Sequence, residues 1–188
     1  LLHAVLHKVL GAHARQAGSL VAPDRLRFDF NHPEAISQMQ LEEIEREVNL
    51  AILANYPLKI VEKSLMDAMA EGAMALFGEK YGERVRTITI GKDSTFSYEL
   101  CGGTHVDETG DIGSFIIVSE GSAAASIRRI EAITGREAYE FSHKQINTLK
   151  SLSMKLNSPV ENLVSRVTIL QEEIDLKKKE IDRLRQII

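Results

Sequence analysis

Apolar residues recur at intervals of three and four in four parts of the chain, which is the pattern of helices that bury one face. In the first part, Leu2, Val5, Leu6 and Val9 share a face, and Gly11 supplies a stop. The four predicted helical parts cover residues 1–10, 33–55, 64–81 and 136–188, the last with a break at Asn157.

Between the helices, apolar and polar residues alternate, as they do in strands with one buried face. Leu26, Phe28 and Phe30 alternate with charged residues, and Pro23-Asp24 predicts the turn of a hairpin over residues 19–30. Further strands are predicted over residues 58–61, 84–91, 96–100, 114–119 and 126–134. Helices and strands interleave without a βαβ rhythm, which predicts an α+β fold with a mostly antiparallel sheet and packed helices.

The C-terminal part, residues 136–188, is predicted to be a long helix or helical hairpin that follows a domain over residues 1–135. Ser158-Pro159-Val160-Glu161 is expected to start a helix, with Ser158 as N-cap and Glu161 closing a capping box. Apolar residues beyond it are spaced alternately by four and three, as in a coiled-coil seam, with one interruption at Lys177. The seam consists of Leu163, Val167, Leu170, Ile174, Ile181, Leu184 and Ile188. An amphipathic helix packed on its own domain explains the same spacing, so both interpretations stay open.

Composition restricts the class of protein. The chain has 188 residues, of which 44% are hydrophobic and 27% charged, and this balance is that of a folded domain. No apolar run approaches the ~20 residues of a membrane span, so no membrane partner is expected. The single cysteine, Cys101, excludes an internal disulfide and favours a reducing compartment, the cytoplasm. The net charge of −4 excludes a basic coat for nucleic acid but not a local basic strip.

The segment Glu99-Leu-Cys-Gly-Gly-Thr-His105 carries the clearest candidate chemistry. A thiolate and an imidazole are typical zinc ligands, so Cys101 and His105 would supply two of the four that zinc needs. Gly102 and Gly103 are expected to form a turn with positive φ that brings the two side chains together. The alternative is that Cys101 is a small buried apolar residue.

His3 and His7 stand four residues apart and would share one helix face, which makes them candidates for the remaining ligands. Exposed, solvated side chains are the alternative. Arg128 and Arg129 are neighbours on a predicted strand and should point to opposite faces. No P-loop, G-x-G-x-x-G or G-x-S-x-G motif is present in the sequence.

Four segments, in order and spread over nearly the whole chain, resemble the editing domain of alanyl-tRNA synthetase. They are Gly18-Ser-Leu-Val21, Leu26-Arg-Phe-Asp-Phe30, Cys101-Gly-Gly-Thr-His105 and Arg128-Arg-Ile-Glu-Ala132. The part from Ser158 resembles the helical linker that leads to a tRNA-contacting and dimerising domain in this family. By this resemblance residues 1–135 are the editing domain and residues 136–188 the linker. The domain that activates alanine with ATP and Mg²⁺ is absent, so the chain looks like a fragment.

The resemblance implies a hydrolase that removes serine or glycine wrongly esterified to tRNA(Ala). Zinc would be its cofactor and the tRNA acceptor end its partner. Cys101 and His105 would be metal ligands and Gln16 and Arg128 catalytic residues. The implied substrate-binding residues are Asp29, Gly102, Gly103 and Thr104.

The family's His-x-x-x-His ligand pair aligns directly before Leu1, seven residues ahead of His3 and His7. The metal site within this chain is therefore expected to be incomplete. Two alternatives to the editing enzyme are a non-catalytic module for tRNA binding and homodimerisation, and a free-standing deacylase.

Overall fold

The computed structural model describes residues 1–75 and 80–186. The chain divides into two compact units, Leu1–Tyr139 and Glu140–Ile188. The first unit contains two antiparallel sheets with helices, which confirms the predicted α+β class.

Most elements of the first unit are joined by short connections. The longest connection between two strands contains a 3₁₀ turn at Thr109–Ile112. In chain order they are α1 (Leu2–Leu10), β1 (Gln16–Ala22), β2 (Arg25–Asn31), α2 (Gln38–Leu53), β3 (Leu58–Ser64), α3 (Leu65–Ala70), β4 (Arg84–Gly91), β5 (Thr95–Leu100), β6 (Phe115–Ala124) and β7 (Ile127–Thr134). They are followed by α4 (Gly135–Leu156), which continues into the second unit, and by α5 (Leu163–Arg185).

The larger sheet has the strand order β1-β2-β7-β6, and its neighbouring strands are antiparallel. The predicted hairpin is confirmed, because Pro23 and Asp24 connect β1 to β2. Alternate residues Phe28 and Phe30 of β2 and Ile130 of β7 are buried in one core with Leu6 of α1 and Ile44 of α2. Helices α1 and α2 thus cover one face of this sheet.

Two side chains of α2 bind the backbone at the start of β6, which is an edge strand. Asn49 donates to the carbonyl of Phe115 at 2.7 Å and accepts from its N–H at 2.9 Å. Glu45 accepts from the N–H of Ile117 at 2.7 Å. The first residues of this edge are therefore paired with a helix and are not free to pair with another strand.

The smaller sheet has the order β3-β4-β5 and packs with α3 through a cluster that includes Ala68, Val85 and Leu100. The predicted helix over residues 64–81 is wrong beyond Ala70. Gly72 has a φ of +87°, which ends helices, and Met74 exchanges backbone hydrogen bonds with β5 instead. Residues 76–79 of that prediction lie outside the described part of the chain.

The second unit is helical, and the predicted break at Asn157 is confirmed by its φ of +46°. The predicted capping box at Ser158 is wrong. Its N–H donates to the carbonyl of Ser153, a 3₁₀ turn occupies Val160–Asn162, and α5 begins without a side-chain cap. Among the described residues, no helix combines the length and the apolar character that a membrane span requires.

Replacing Asn49 with Ala should destabilise the first unit by about 2–3 kcal/mol, since it leaves the buried N–H and C=O of Phe115 without that partner. All four tyrosines lie in this unit, so urea unfolding followed by tyrosine fluorescence measures the change. The control is Glu43→Ala, which removes an exposed side chain from the same helix. Equal effects of the two substitutions would contradict this role of Asn49.

Replacing Ser126 with Gly should stabilise the first unit by about 1 kcal/mol, because Ser126 has a φ of +56° between β6 and β7. Ser122→Gly, at an exposed position inside β6, should instead destabilise by about 0.5–1 kcal/mol through chain entropy. Urea unfolding followed by tyrosine fluorescence measures both changes in the free energy of unfolding. A change in the same direction for the two variants would refute the strain assigned to the positive φ of Ser126.

Candidate functional site

A pocket of about 290 Å³ lies between the two sheets of the first unit and is called the central pocket below. Most of its wall is apolar, with residues of β2, α2 and β4 such as Phe28, Ile52 and Ile88. A group of polar side chains interrupts this wall: His3, Ser97, Glu99, Cys101 and His105. The central pocket therefore combines an apolar enclosure with a few convergent polar groups, as small-molecule sites do.

Strand β5 brings three of these polar residues to one side. Ser97, Glu99 and Cys101 stand at alternate positions, and the Ser97 hydroxyl donates to Glu99 Oε1 at 2.5 Å. His3 of α1 lies 3.2 Å through its Nδ1 from the other carboxylate oxygen. His3 is only 5% exposed, so its interpretation as a solvated side chain is wrong.

The carboxylate of Glu99 is a fixed negative charge in the central pocket. Burial alone would raise its pKa, but the hydrogen bonds from His3 and Ser97 lower that pKa below its ordinary value. Glu99 is therefore ionised at neutral pH and attracts a positively charged group that enters the central pocket.

The turn that joins Cys101 to His105 is held by Arg86 of β4. The guanidinium donates to the carbonyls of Cys101 at 3.0 Å and Gly103 at 2.5 Å, and the Cys101 N–H donates back to the Arg86 carbonyl. Neither Gly102 nor Gly103 has a positive φ, so the predicted glycine turn is wrong. This turn is therefore held by hydrogen bonds to the neighbouring strand and not by glycines with positive φ.

Both predicted metal donors line the central pocket. Cys101 is a half-buried free thiol, and His105 is exposed. Desolvation beside the pocket wall, and next the positive charge of Arg86, lowers the pKa of His105, so its imidazole is neutral at pH 7 and able to bind a metal. Their donor chemistry fits zinc, but zinc needs four ligands. Residues 1–75 and 80–186 contain no group of three or more metal donors, so Cys101 and His105 do not form a complete site by themselves.

The loop after His105 is docked on the end of α2. The fully buried Thr109 hydroxyl donates to the Ala51 carbonyl at 2.7 Å and accepts from the Tyr56 N–H at 2.8 Å. Asn55 accepts from the Gly110 N–H at 2.9 Å, and a Cβ on Gly110 would come within 2.3 Å of the Asn55 Oδ1 atom. These contacts hold the chain between His105 and β6 in one position.

The other predicted site residues lie at different distances from the central pocket. Gln16 donates to the hydroxyl of Ser19 at 2.8 Å, and Ser19 lines the pocket. Gly102, Gly103 and Thr104 form the exposed turn and are not part of the pocket wall.

Arg128 and Asp29 are also outside the central pocket and have partners of their own. Arg128 binds Glu120 through two hydrogen bonds of 2.6 and 2.8 Å. Arg129 binds Asp29 in the same way at 2.7 and 2.8 Å, and this hydrogen bonding lowers the Asp29 pKa. As predicted, the two arginines occupy successive positions of one strand, so they serve different ion pairs on opposite faces.

Comparison with known proteins finds relatives of this chain. Residues 85–131, which include Arg86, Glu99, Cys101 and His105, match the family described as threonyl and alanyl tRNA synthetase second additional domain. Among curated proteins, the alanine–tRNA ligase of Alkaliphilus oremlandii is 49% identical over 98% of this chain. Those of Halorhodospira halophila and Thermus thermophilus are 50% and 49% identical over 99% and 98% of it.

The chain spans 21% of the length of each of these relatives. The match therefore concerns one segment of a longer kind of protein. Residues 85–131 thus match the threonyl and alanyl tRNA synthetase second additional domain, and nearly the whole chain corresponds to a segment of the alanine–tRNA ligases.

Proposed function

We propose that the chain is the editing portion of an alanine–tRNA ligase and hydrolyses serine or glycine wrongly esterified to tRNA(Ala). The observation that carries the proposal is the meeting of Cys101, His105 and an ionised Glu99 in one pocket of the family segment. The reaction belongs to protein synthesis in the cytoplasm. Ligation of alanine with ATP and Mg²⁺ is assigned to other parts of the longer relatives.

The size and charge of the central pocket suit an aminoacyl ester. Its volume of about 290 Å³ is at the small end of the range for small-molecule sites, about 300–1,000 Å³. The amino group of such an ester is positively charged, and Glu99 is the carboxylate that would hold it. Polar groups near Glu99 would bind the serine hydroxyl, and a site of this kind disfavours alanine because alanine leaves those groups unpaired.

In the proposed reaction, water adds to the ester carbonyl and the bond to the ribose oxygen breaks. The products are the free amino acid and the ribose hydroxyl of the tRNA. The ester is an activated substrate, so holding water and carbonyl in the correct geometry supplies much of the acceleration. His3 and Ser97 fix the carboxylate of Glu99, and this fixes the amino end of the ester.

Cys101 and His105 would hold zinc as two of its four ligands. Their neutral imidazole and free thiol fit this role, and the proposal takes the other two ligands from the His-x-x-x-His segment that the resemblance aligns before Leu1. When bound, zinc supplies a Lewis acid for the carbonyl or a water of lowered pKa. Arg128 and Asp29 are held by ion-pair partners outside the pocket, so the residues that line the pocket would act on the ester instead.

A specific observation also favours a second function, homodimerisation through α5. Four members of the seam remain about half exposed: Val167, Ile174, Ile181 and Leu184 at 42%, 52%, 49% and 56%. A second copy of the same helix would cover them by knobs-into-holes packing. This second function is the homodimerisation part of the non-catalytic alternative, and it is compatible with editing by the first unit.

Replacing Cys101 with Ala in the full-length ligase should lower hydrolysis of seryl-tRNA(Ala) about 100-fold, because a metal ligand is lost. Chelation should lower the activity of the unmodified enzyme, and added zinc should restore it there but not in the variant. The control is Asp107→Asn, an exposed change close to His105. Full activity of the Cys101→Ala enzyme would refute the zinc role.

Replacing both Ile174 and Ile181 with Glu should convert a dimer of this chain to a monomer, since charge in the seam opposes packing. Sedimentation equilibrium measures the mass. Leu176→Glu is the matched control, because Leu176 is 65% exposed on the same helix but lies off the seam. A chain that is monomeric before any substitution would contradict the dimer.

A further inference from the structure

The seam of α5 repeats two core positions in each heptad, and each position has its own residue type. The first is valine or isoleucine, at Val167, Ile174 and Ile181. The second follows three residues later and is leucine or lysine, at Leu170, Lys177 and Leu184. β-Branched residues at the first position, with leucine at the second, favour parallel coiled coils of two strands. The composition of the seam therefore favours pairing with a second copy that runs in the same direction.

Charged residues flank the seam, and its two edges differ in sign. The edge that directly precedes each first core position carries Glu173 and Glu180 and is called the acidic edge below. The edge that directly follows each second core position carries Lys178 and Arg185 and is called the basic edge. All four side chains are exposed. The preceding heptad has an arginine and a glutamine at the same places, so the separation of charge is confined to these two heptads.

We infer that α5 pairs with α5 of a second copy in parallel and in register. The inference rests on the homodimer proposed above and adds its orientation and the residues that select it. In a parallel pair, the acidic edge of each helix faces the basic edge of the other, so Glu173 approaches Lys178 of the partner subunit and Glu180 approaches Arg185 of the partner subunit. In an antiparallel pair, acid would face acid and base would face base, and like charges repel. The charges therefore select the parallel orientation.

The contacts within one helix leave the basic edge accessible to a partner. Lys178 lies 3.6 Å from Asp175, and Arg185 lies 3.9 Å from Asp182, along the same helix. The two cationic side chains nevertheless remain 70% and 77% exposed. Exposed ion pairs of this kind contribute little to stability, so they compete only weakly with contacts across a dimer.

Lys177 interrupts the seam at one core position and thereby sets the register. Its ammonium group lies 2.8 Å from the carboxylate of Glu180 on the same helix, so its charge is directed to the acidic edge and not into the seam. In register, the two lysines meet in one layer of the dimer. A shift by one heptad would place each lysine opposite leucine, interrupt two layers and leave fewer charge pairs. A polar residue at a single core position specifies register in this way, at a cost in stability.

Disulfide formation between single cysteines tests the orientation. Leu170→Cys and Leu184→Cys are made separately in the whole chain, each with Cys101→Ser to remove the only native thiol. The two positions are two heptads, or about 21 Å, apart along the helix. In a parallel dimer in register, each variant forms a disulfide with a second copy of itself upon oxidation. Disulfide formation by only one of the variants, or only in a mixture of the two, overturns the inference.

Reversal of charge tests the pairing of the edges. Glu173→Lys combined with Glu180→Lys should weaken the dimer about 100-fold, because four attractive pairs become repulsive. Adding Lys178→Glu and Arg185→Glu to the same chain should restore most of the affinity, since opposite charges again face each other. Sedimentation equilibrium of the whole chain measures the dissociation constant of the dimer in each case.

The matched control is Glu172→Lys combined with Asp182→Lys, which makes the same change of net charge at exposed positions of α5 outside both edges. It should change the dissociation constant by less than about threefold. A dimer that the edge reversal weakens no more than this control overturns the inferred pairing and leaves the homodimer in place. A chain that is monomeric before any substitution overturns the homodimer itself, so the two failures are distinguishable.

Discussion

The hydrogen bond between His3 and Glu99 is the contact on which the central pocket of the first unit depends. It joins residues 96 positions apart and ties α1, which packs on the larger sheet, to β5 of the smaller sheet. One nitrogen of His3 holds the carboxylate that gives the central pocket its negative charge. The other nitrogen is buried and has no hydrogen-bond partner among the described residues, so the ring is held through its Nδ1 side.

The position of the Cys101–His105 turn follows from its surroundings more than from its own composition. Arg86 holds the carbonyl groups of the turn from one side, and Thr109 anchors the following loop to the end of α2. Both anchors use buried or half-buried hydrogen bonds, for which the partners cannot be exchanged with water at low cost. A glycine pair with ordinary φ values therefore forms a defined turn, and the two donors face a common pocket.

Local patterns were sufficient to predict the hairpin, the helices at the two ends of the chain and the antiparallel character of the sheets. Alternation and helical period depend only on nearby residues. Ser97, Glu99 and Cys101 also alternate along the sequence, and this pattern is a signal from which the polar side of the central pocket could have been predicted. The helix predicted to Tyr81 was wrong because the backbone of Met74 pairs with β5, and tertiary pairing overrides helix propensity. The partners of Glu99, Arg86 and Thr109 are 96, 15 and 58 residues distant, and no local pattern contains such pairs.

The placement of positive charge decides where a nucleic acid can be bound by a chain whose net charge is −4. Arg128 and Arg129 look like a basic pair in the sequence, but each already donates two hydrogen bonds to a carboxylate. A phosphate at either one would have to displace that carboxylate and leave it in the interior or near it without a partner, which is strongly unfavourable. Neither arginine is therefore available to RNA unless its ion pair is broken, so adjacent basic residues in a sequence do not by themselves predict a binding site for phosphate.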